Sequence, residues 1–369
     1  MMNTHMREVV ADEWQEAPPL SNEILTGTFW TFSSLDHGTI GKFLVLAPDG
    51  RIGNFFTPSV DFWQVVNGHL CLIDKTGLPS VVFNVAKIDD GAISAIAGRG
   101  VVDGAAAVYM LTRTDHPAHP IAATPANVKR RATFLKQRPA ASRRPNLVVV
   151  RANSKSLHPR WLEGLTEATR SWDLCVSSYD AEAPDLSLPC DYLTHQPNQK
   201  KFKPIYDLFY EDSPLWSYER IWLADDDLLI SGADINVMFH LSNKHSLDLS
   251  QPSLRVQQGC FINHPITAQQ PNSVLRHEPF IEIMCPIFSQ RALKICIGSI
   301  KDAISGYGLD HLWPSFLGRA INRMAIIDAV GVVHTRPVGA TYNIQAAIAE
   351  QTETLETYGL PLPKINGVW

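Results

Sequence analysis

Three consecutive carboxylates, Asp225, Asp226 and Asp227, lie between the apolar runs Ile221–Leu223 and Leu228–Ile230. Burying charge between two hydrophobic segments is costly unless each carboxylate is solvated, hydrogen-bonded or neutralised by a cation. If the extended conformation of Ile221–Leu223 persists, Asp225 and Asp227 point to one side and Asp226 to the other. Two carboxylates on one side at a strand end suit a hard divalent ion such as Mn²⁺ or Mg²⁺, which would take them together with phosphate oxygens. The competing reading is an acidic turn that caps the next helix.

The elements needed to position such a site can be read around it. Leu147–Val150 is a β-branched run of the kind found in buried parallel strands. His158–Arg170 reads as a helix, Leu174–Ser177 as a strand, Lys203–Tyr210 as a helix and Glu219–Leu223 as the strand feeding the triplet. Ile235–Asn243 is a further helix, Leu247–Ser250 a short strand leading to Gln251 and Pro252, Arg291–Ile304 a helix and Met324–Val333 a strand ending at His334. Strand–helix alternation predicts a Rossmann-like α/β domain with a mostly parallel sheet over 146–345. Ligands in such sheets bind beyond the carboxyl ends of the strands. Arg151 and Asn153, Asp180 and the Asp triplet all fall at such ends, which makes them one candidate nucleotide-binding site.

Before this domain, residues 21–115 have a different texture. Short strand candidates (Leu25–Phe32, Gly41–Leu46, Arg51–Phe56, Phe62–Val66, His69–Ile73, Ser80–Asn84, Ala92–Ala97, Ala105–Thr112) are separated by turn signals such as Asn67-Gly68 and Asp89-Asp90-Gly91. That spacing predicts a small all-β barrel or sandwich. Its aromatics, Phe29, Trp30, Phe32, Phe55, Phe56, Phe62 and Trp63, read as core filling, with a sugar-stacking platform as the alternative. Residues 1–20 read as a flexible leader and 346–369 as a tail. The segment 116–145 reads as a linker made basic by Lys129, Arg130, Arg131, Lys136, Arg138, Arg143 and Arg144. It is either a solvated connection or a surface attracted to anionic lipid headgroups or a phosphorylated substrate.

Composition narrows the class. The 369 residues carry 45% hydrophobic and 19% charged side chains, which suits a two-domain globular chain. A net charge of −5 gives no reason to expect nucleic-acid binding. The six cysteines are scattered with no C-x-x-C pair, so neither a zinc knuckle nor a redox motif is indicated, and buried thiols in a reducing cytoplasm are expected. No apolar stretch has membrane-spanning length, and the acidic N-terminal residues Asp12, Glu13 and Glu16 do not read as a signal peptide. A cytoplasmic protein is expected, with peripheral association at the inner face of the membrane as the basic segment's possible contribution.

Five short blocks in order resemble the domain-of-unknown-function family 707 of glycosyltransferase-like proteins, and more distantly GT-A nucleotide-sugar glycosyltransferases. They are IWLADDDL at 221–228, LDLSQPSL at 247–254, EIMCPIFS at 282–289, GYGLD at 306–310 and IDAVGVVH at 327–334. The resemblance spans most of residues 146–340 and implies a GT-A-like fold. It implies a nucleotide-diphosphate sugar donor and a glycan or lipid-linked acceptor. Asp225 and Asp227 then look like an Asp-x-Asp metal pair and His334 like a late metal ligand. Asp310 looks like the base toward the acceptor hydroxyl, with helix N-capping as its structural alternative. Glu282, flanked by Ile281 and Ile283, is an acceptor-binding acid or a paired structural acid. Lys201 and Lys203 are placed to meet the diphosphate, and Gln251 to shape a pocket wall. Two other readings are a non-catalytic carbohydrate-binding protein with a degenerate transferase domain, and a haloacid-dehalogenase-type phosphatase with Asp225 as nucleophile. Leu229, where the latter has a hydroxyl residue, weighs against it.

Overall fold

Alternating short strands and Gly-containing turns in the first third, and strand–helix alternation afterwards, fold as two separate compact units. They are Met1–Ala122 with Ser315–Ala320, and Ala123–Pro314 with Ile321–Trp369. The computed structural model describes residues 14–47, 50–53, 55, 59–74, 76–101, 107–114, 132–317, 321–337, 339, 342–358 and 360. Most of the expected leader, the linker over 115–131 with Lys129, Arg130 and Arg131, Asn54 and Phe56, and the last residues of the expected tail lie outside them.

In the first unit, Ser21 accepts a hydrogen bond from the Ile24 amide and starts a one-turn helix, α1 (Asn22–Leu25). The strand expected from Leu25 therefore begins only at Phe29. The strands are β1 (Gln15–Glu16), β2 (Phe29–Ser34), β3 (Gly38–Leu46), β4 (Ile52–Gly53), β5 (Phe62–Val66), β6 (His69–Ile73), β7 (Pro79–Asp89), β8 (Ala92–Gly100) and β9 (Val108–Arg113). They pair antiparallel in the order β4-β3-β2-β9-β8-β7-β6-β5, with β1 on β7. An antiparallel bridge between Arg51 and Phe62 links the two ends of that order, so the sheet nearly closes on itself. Asn67-Gly68 and Asp90-Gly91 take positive φ at both positions, as two-residue hairpin turns require. Phe29, Trp30, Phe32 and Trp63 are buried, and Trp30, Phe32 and Trp63 pack with Leu44, Leu72 and Phe83. These four aromatics fill the core and do not form a sugar platform.

The second unit holds β10 (Phe134–Lys136), β11 (Asn146–Ala152), β12 (Trp172–Ser178), β13 (Tyr192–His195), β14 (Arg220–Ala224), β15 (Leu228–Leu229), β16 (Leu249–Leu254), β17 (Arg276–His277), β18 (Ile287–Ser289) and β19 (Met324–His334). Its helices are α2 (Phe202–Leu208), α3 (Gly232–Lys244), α4 (Gln290–Cys296), α5 (Leu309–Phe316, of which the residues up to Pro314 belong to this unit) and α6 (Ile344–Thr357). The sheet order is β10-β13-β12-β11-β14-β18-β16-β19-β15, with β17 on β19. β13, β12, β11 and β14 are mutually parallel, as are β16 and β19. β18 runs antiparallel to both β14 and β16. Reversing direction twice across β18 makes β16 and β19 run the same way as β14. The carboxyl ends of six strands therefore share one edge. The chain winds from β11 outward through β12 and β13, then returns to β14 on the other side of β11, and a crevice opens at such a reversal.

Several elements differ from expectation for identifiable reasons. The helix expected over 158–170 is a 3₁₀ turn, His158–Leu162, because Gly164 turns the backbone left-handed at φ +74°. β16 runs through Gln251 and Pro252 instead of stopping at Ser250. Pro252 cannot donate to the ladder, and the register against β19 slips just after it, from Pro252–Ile327 to Ser253–Gly331. Residues 344–357 form α6, capped by Asn343, where a tail was expected to begin at 346. All six cysteines are free thiols, five of them buried. Among the described residues, no helix is long and apolar enough to cross a membrane.

The described part of the basic segment is built into the second unit. β10 pairs with β13. Arg144 donates to Asp173 at 2.6 Å and to the carbonyls of Arg170 and Glu167, and Arg138 and Arg170 bind Asp191. Asp173 is fully buried, so these arginines compensate interior charge and are committed to it. Arg138 and Arg144 are thus not free for lipid headgroups, which corrects that reading for them. Removing one partner of a buried network strands the other charge. Arg144→Ala should lower unfolding stability by about 3 kcal/mol, whereas Glu167→Ala, at an exposed carboxylate, should cost under about 1 kcal/mol. Urea unfolding of the two variants measures the contrast.

Candidate active site

β14 is buried along its whole length, and its chain leaves the sheet at Asp225. The Leu223 and Asp225 amides donate to the carbonyls of Pro286 (2.9 Å) and Met284 (2.9 Å). The antiparallel entry into β18 thereby brings Glu282 beside the triplet. On the other side, β15 pairs with β19 so that Leu228 opposes His334. The Thr335 amide and hydroxyl both donate to the Asp227 carbonyl, at 3.1 and 2.8 Å. Strand pairing thus places His334 at the triplet, and backbone hydrogen bonds ahead of β18 bring the segment carrying Glu282 beside it.

Each triplet carboxylate has its own partner. Asp225 Oδ1 lies 2.6 Å from Lys201 Nζ, which also donates to the Ile283 carbonyl at 2.8 Å. Asp226 accepts from the Tyr179 hydroxyl at 3.0 Å and pairs with Arg336. Asp227 Oδ2 faces Arg336 Nε at 3.1 Å and His334 Nε2 at 3.4 Å, while the His334 Nδ1 atom meets the Phe261 carbonyl at 3.0 Å. Burial pushes the Asp225 carboxyl above its ordinary pKa despite Lys201. Burial also raises Asp226 against the pull of Arg336. For Asp227, burial opposes ionisation, but the hydrogen bond and charge of His334 with the charge of Arg336 outweigh it and hold the pKa down. His334 is correspondingly raised: burial lowers it, and Asp227 more than reverses that.

Glu282 and Asp310 are both buried. The Gln251 side-chain carbonyl accepts from the Glu282 amide at 2.6 Å, so Gln251 holds the backbone of the acid from inside β16. Glu282 Oε2 has no hydrogen-bond partner among the described residues. Desolvation pushes Glu282 up to about 7, with His334 pulling it down and Asp310 and Asp225 pushing it further up. Asp310 lies in the first turn of α5, one residue inside it, and accepts from the His311 amide at 3.0 Å. It is therefore not an N-cap. Desolvation raises it, too, to about 7. The turn before it is anchored. Gly306 and Gly308 have φ of +84° and +93°, and Glu350 of α6 accepts from the amides of Ile304, Ser305 and Gly306 at 2.8, 2.8 and 3.2 Å.

The remaining sequence candidates divide. Arg151 is buried, and its guanidinium is spent on Ser177 Oγ and the carbonyls of Gln196 and Gln199, at 3.0, 3.0 and 2.9 Å. It stacks on Tyr179, so it fastens the loops beyond β12 and β13 instead of offering donors to a nucleotide. Desolvation lowers its pKa to about 10. Asn153 and Asp180 sit at the same sheet edge: Asn153 Oδ1 accepts from the Lys155 amide and Asp180 Oδ2 from the Ser154 amide, both at 2.9 Å. Lys203 pairs with Asp207 on its own helix, away from the triplet. Lys201 is the lysine that reaches the carboxylates. Tyr179 and Arg336 went unrecognised as partners in the sequence. Both carry the same local hint, a place at a strand end: Tyr179 just past β12 and beside Asp180, and Arg336 two residues past His334.

A divalent ion at this edge would have to be held by the donors of this set. A hard ion needs several convergent oxygens. Among the described residues, no three His, Cys, Asp or Glu side chains come together as such a set. Asp227 Oδ1 is a buried oxygen without a hydrogen-bond partner, but Asp225 is committed to Lys201 and Asp227 Oδ2 to Arg336 and His334. As arranged, Asp225, Asp227 and His334 do not fit a metal centre.

No family model and no curated protein matches the chain, so the resemblance to family 707 rests on the blocks quoted above. Among solved structures it is similar to residues 1–349 of S. aureus TarS, at 12% identity and TM-score 0.36, covering 58% of this chain and 71% of that one. The same fragment in complex with UDP matches at 13% identity and TM-score 0.34, covering 57% and 70%. The fragment in complex with UDP-GlcNAc matches at 12% identity and TM-score 0.36, covering 57% and 64%. Likeness at this level names no activity.

The raised acids have a consequence for stability. In the unfolded chain a Glu ionises near about 4.3, but in the fold Glu282 holds its proton to about 7. Between those values the unfolded state releases the proton first, so this residue's contribution to stability falls as pH rises through the window. Glu282→Gln should flatten that decline. Urea midpoints from pH 4.5 to 8 test it, and parallel curves for variant and wild type would refute the shift.

Proposed function

We propose that the second unit is a GT-A-like glycosyltransferase that takes a nucleotide-diphosphate sugar and transfers the sugar to a hydroxyl of a glycan or lipid-linked acceptor. The observation that carries this reading is the meeting, at one sheet edge, of the Asp triplet with its Lys201 and Arg336 partners and two buried acids, Glu282 and Asp310. Each acid's pKa of about 7 suits proton transfer near neutrality. The donor diphosphate meets the N–H groups of Lys201 and Arg336 beside the triplet. Asp310 takes the proton of the acceptor hydroxyl as the new glycosidic bond forms and the nucleoside diphosphate leaves. Glu282, flanked by Gln251, orients the acceptor. The phosphatase alternative lacks a residue it needs. Leu229, two residues past Asp227, belongs to β15 and offers no hydroxyl.

Incubation of the full chain with UDP- and GDP-sugars, with nucleoside diphosphate release followed over time, tests the proposal. Asp310→Asn should reduce release or transfer by about 10²–10⁴-fold, the usual worth of general acid–base catalysis. Nucleotide affinity should stay within roughly threefold, because the proton-transfer group acts on the transition state. Full activity in Asp310→Asn would remove the base assignment. Binding of free glycans without turnover of any donor would favour the carbohydrate-binding alternative.

A further inference from the structure

The Asp triplet presents a charge problem that the chain has solved with its own cations. Lys201 reaches Asp225 from the start of α2, and Arg336 reaches both Asp226 and Asp227 from beyond β19. These two side chains come from segments more than a hundred residues apart and converge on three consecutive carboxylates. Arg336 is 41% exposed and Lys201 18%. Both therefore keep a face toward solvent at the carboxyl edge of the sheet, where a ligand would enter. An arginine has five N–H donors and an ammonium three, so neither is exhausted by the bonds already named.

We propose that Lys201 and Arg336 form a fixed cationic clamp for the diphosphate of the donor, so that nucleotide binding at this site does not require a divalent ion. The proposal rests on the glycosyltransferase reading and specifies how its donor site is neutralised. The guanidinium fork suits two oxygens of a phosphate, and the ammonium supplies a second, compact charge beside it. The triplet carboxylates hold both cations in place before the ligand arrives, so little side-chain entropy remains to be lost on binding. The carboxylates thus orient the clamp and do not themselves coordinate the ligand.

Calorimetric titration of the full chain with UDP and with GDP, once in EDTA and once in Mn²⁺, tests this. At least one nucleotide should bind in EDTA, and Mn²⁺ should tighten it by less than tenfold. Arg336→Ala and Lys201→Ala should each weaken binding in EDTA by tenfold or more. Arg336→Lys, which keeps the charge and loses the fork, should fall between wild type and Arg336→Ala. Urea midpoints identify any variant that has lost its fold, and Lys201→Met then replaces Lys201→Ala. Binding that appears only with Mn²⁺, or tightens tenfold or more with it, overturns the clamp and leaves the donor reading intact. Binding in EDTA that neither substitution weakens also overturns it. Absence of binding by either nucleotide in both conditions overturns the clamp and the donor site together.

Discussion

The neutralisation of Asp225, Asp226 and Asp227 is the constraint on which the site depends. Three adjacent carboxylates at the end of a fully buried strand would repel one another and resist desolvation if left alone. Lys201, Arg336, His334 and the Tyr179 hydroxyl each answer a named carboxylate, and they come from three separate segments of the second unit. Holding the triplet together therefore holds the start of α2, the end of β12 and the segment after β19 at one edge. The same bonds divide the triplet electrostatically, leaving Asp227 readily ionised and Asp225 and Asp226 more reluctant.

Strand direction explains why this edge is the functional one. Because β18 runs antiparallel between β14 and β16, the chain entering it passes the triplet immediately beforehand, and Glu282 is delivered there by backbone hydrogen bonds. β19 then ends at His334 in register with Leu228. Asp310 reaches its position by another route, through a turn of two left-handed glycines stapled to Glu350 of α6. The turn is thus anchored, and α6, which follows the site in sequence, supports one of its acids.

The arginine network around Asp173 and Asp191 shows the same physics in a structural role. Arg138, Arg144 and Arg170 converge on carboxylates with little or no access to water. In sequence Arg138 and Arg144 look like part of a solvated basic stretch. In the fold their charges are already used, and the segment contributes β10 to the sheet.

Local pattern was enough for much of this. The β-branched run at Leu147–Val150, the apolar approach to Asp225 and the Asn67-Gly68 and Asp90-Gly91 hairpins were legible because period, burial and turn chemistry act over a few residues. Their positions at strand ends also marked Asn153, Asp180 and the triplet. Partnership was not legible. Lys201 and Lys203 differ by two positions, yet only Lys201 faces the triplet, because helical geometry sends Lys203 toward Asp207 one turn away. Arg151 looked like a ligand-binding cation and is consumed by the carbonyls of neighbouring loops. Asp225, Asp227 and His334 read as metal ligands from residue type, but ligand sets are defined by convergence in space, and there ion pairs with Lys201 and Arg336 compete for the same oxygens. The sequence by itself marked β11, β12, β14, β16 and β19 and the carboxylate-rich end of β14. Tertiary structure decided which cation meets which carboxylate, because that choice depends on sheet direction and on contacts between residues up to 110 positions apart.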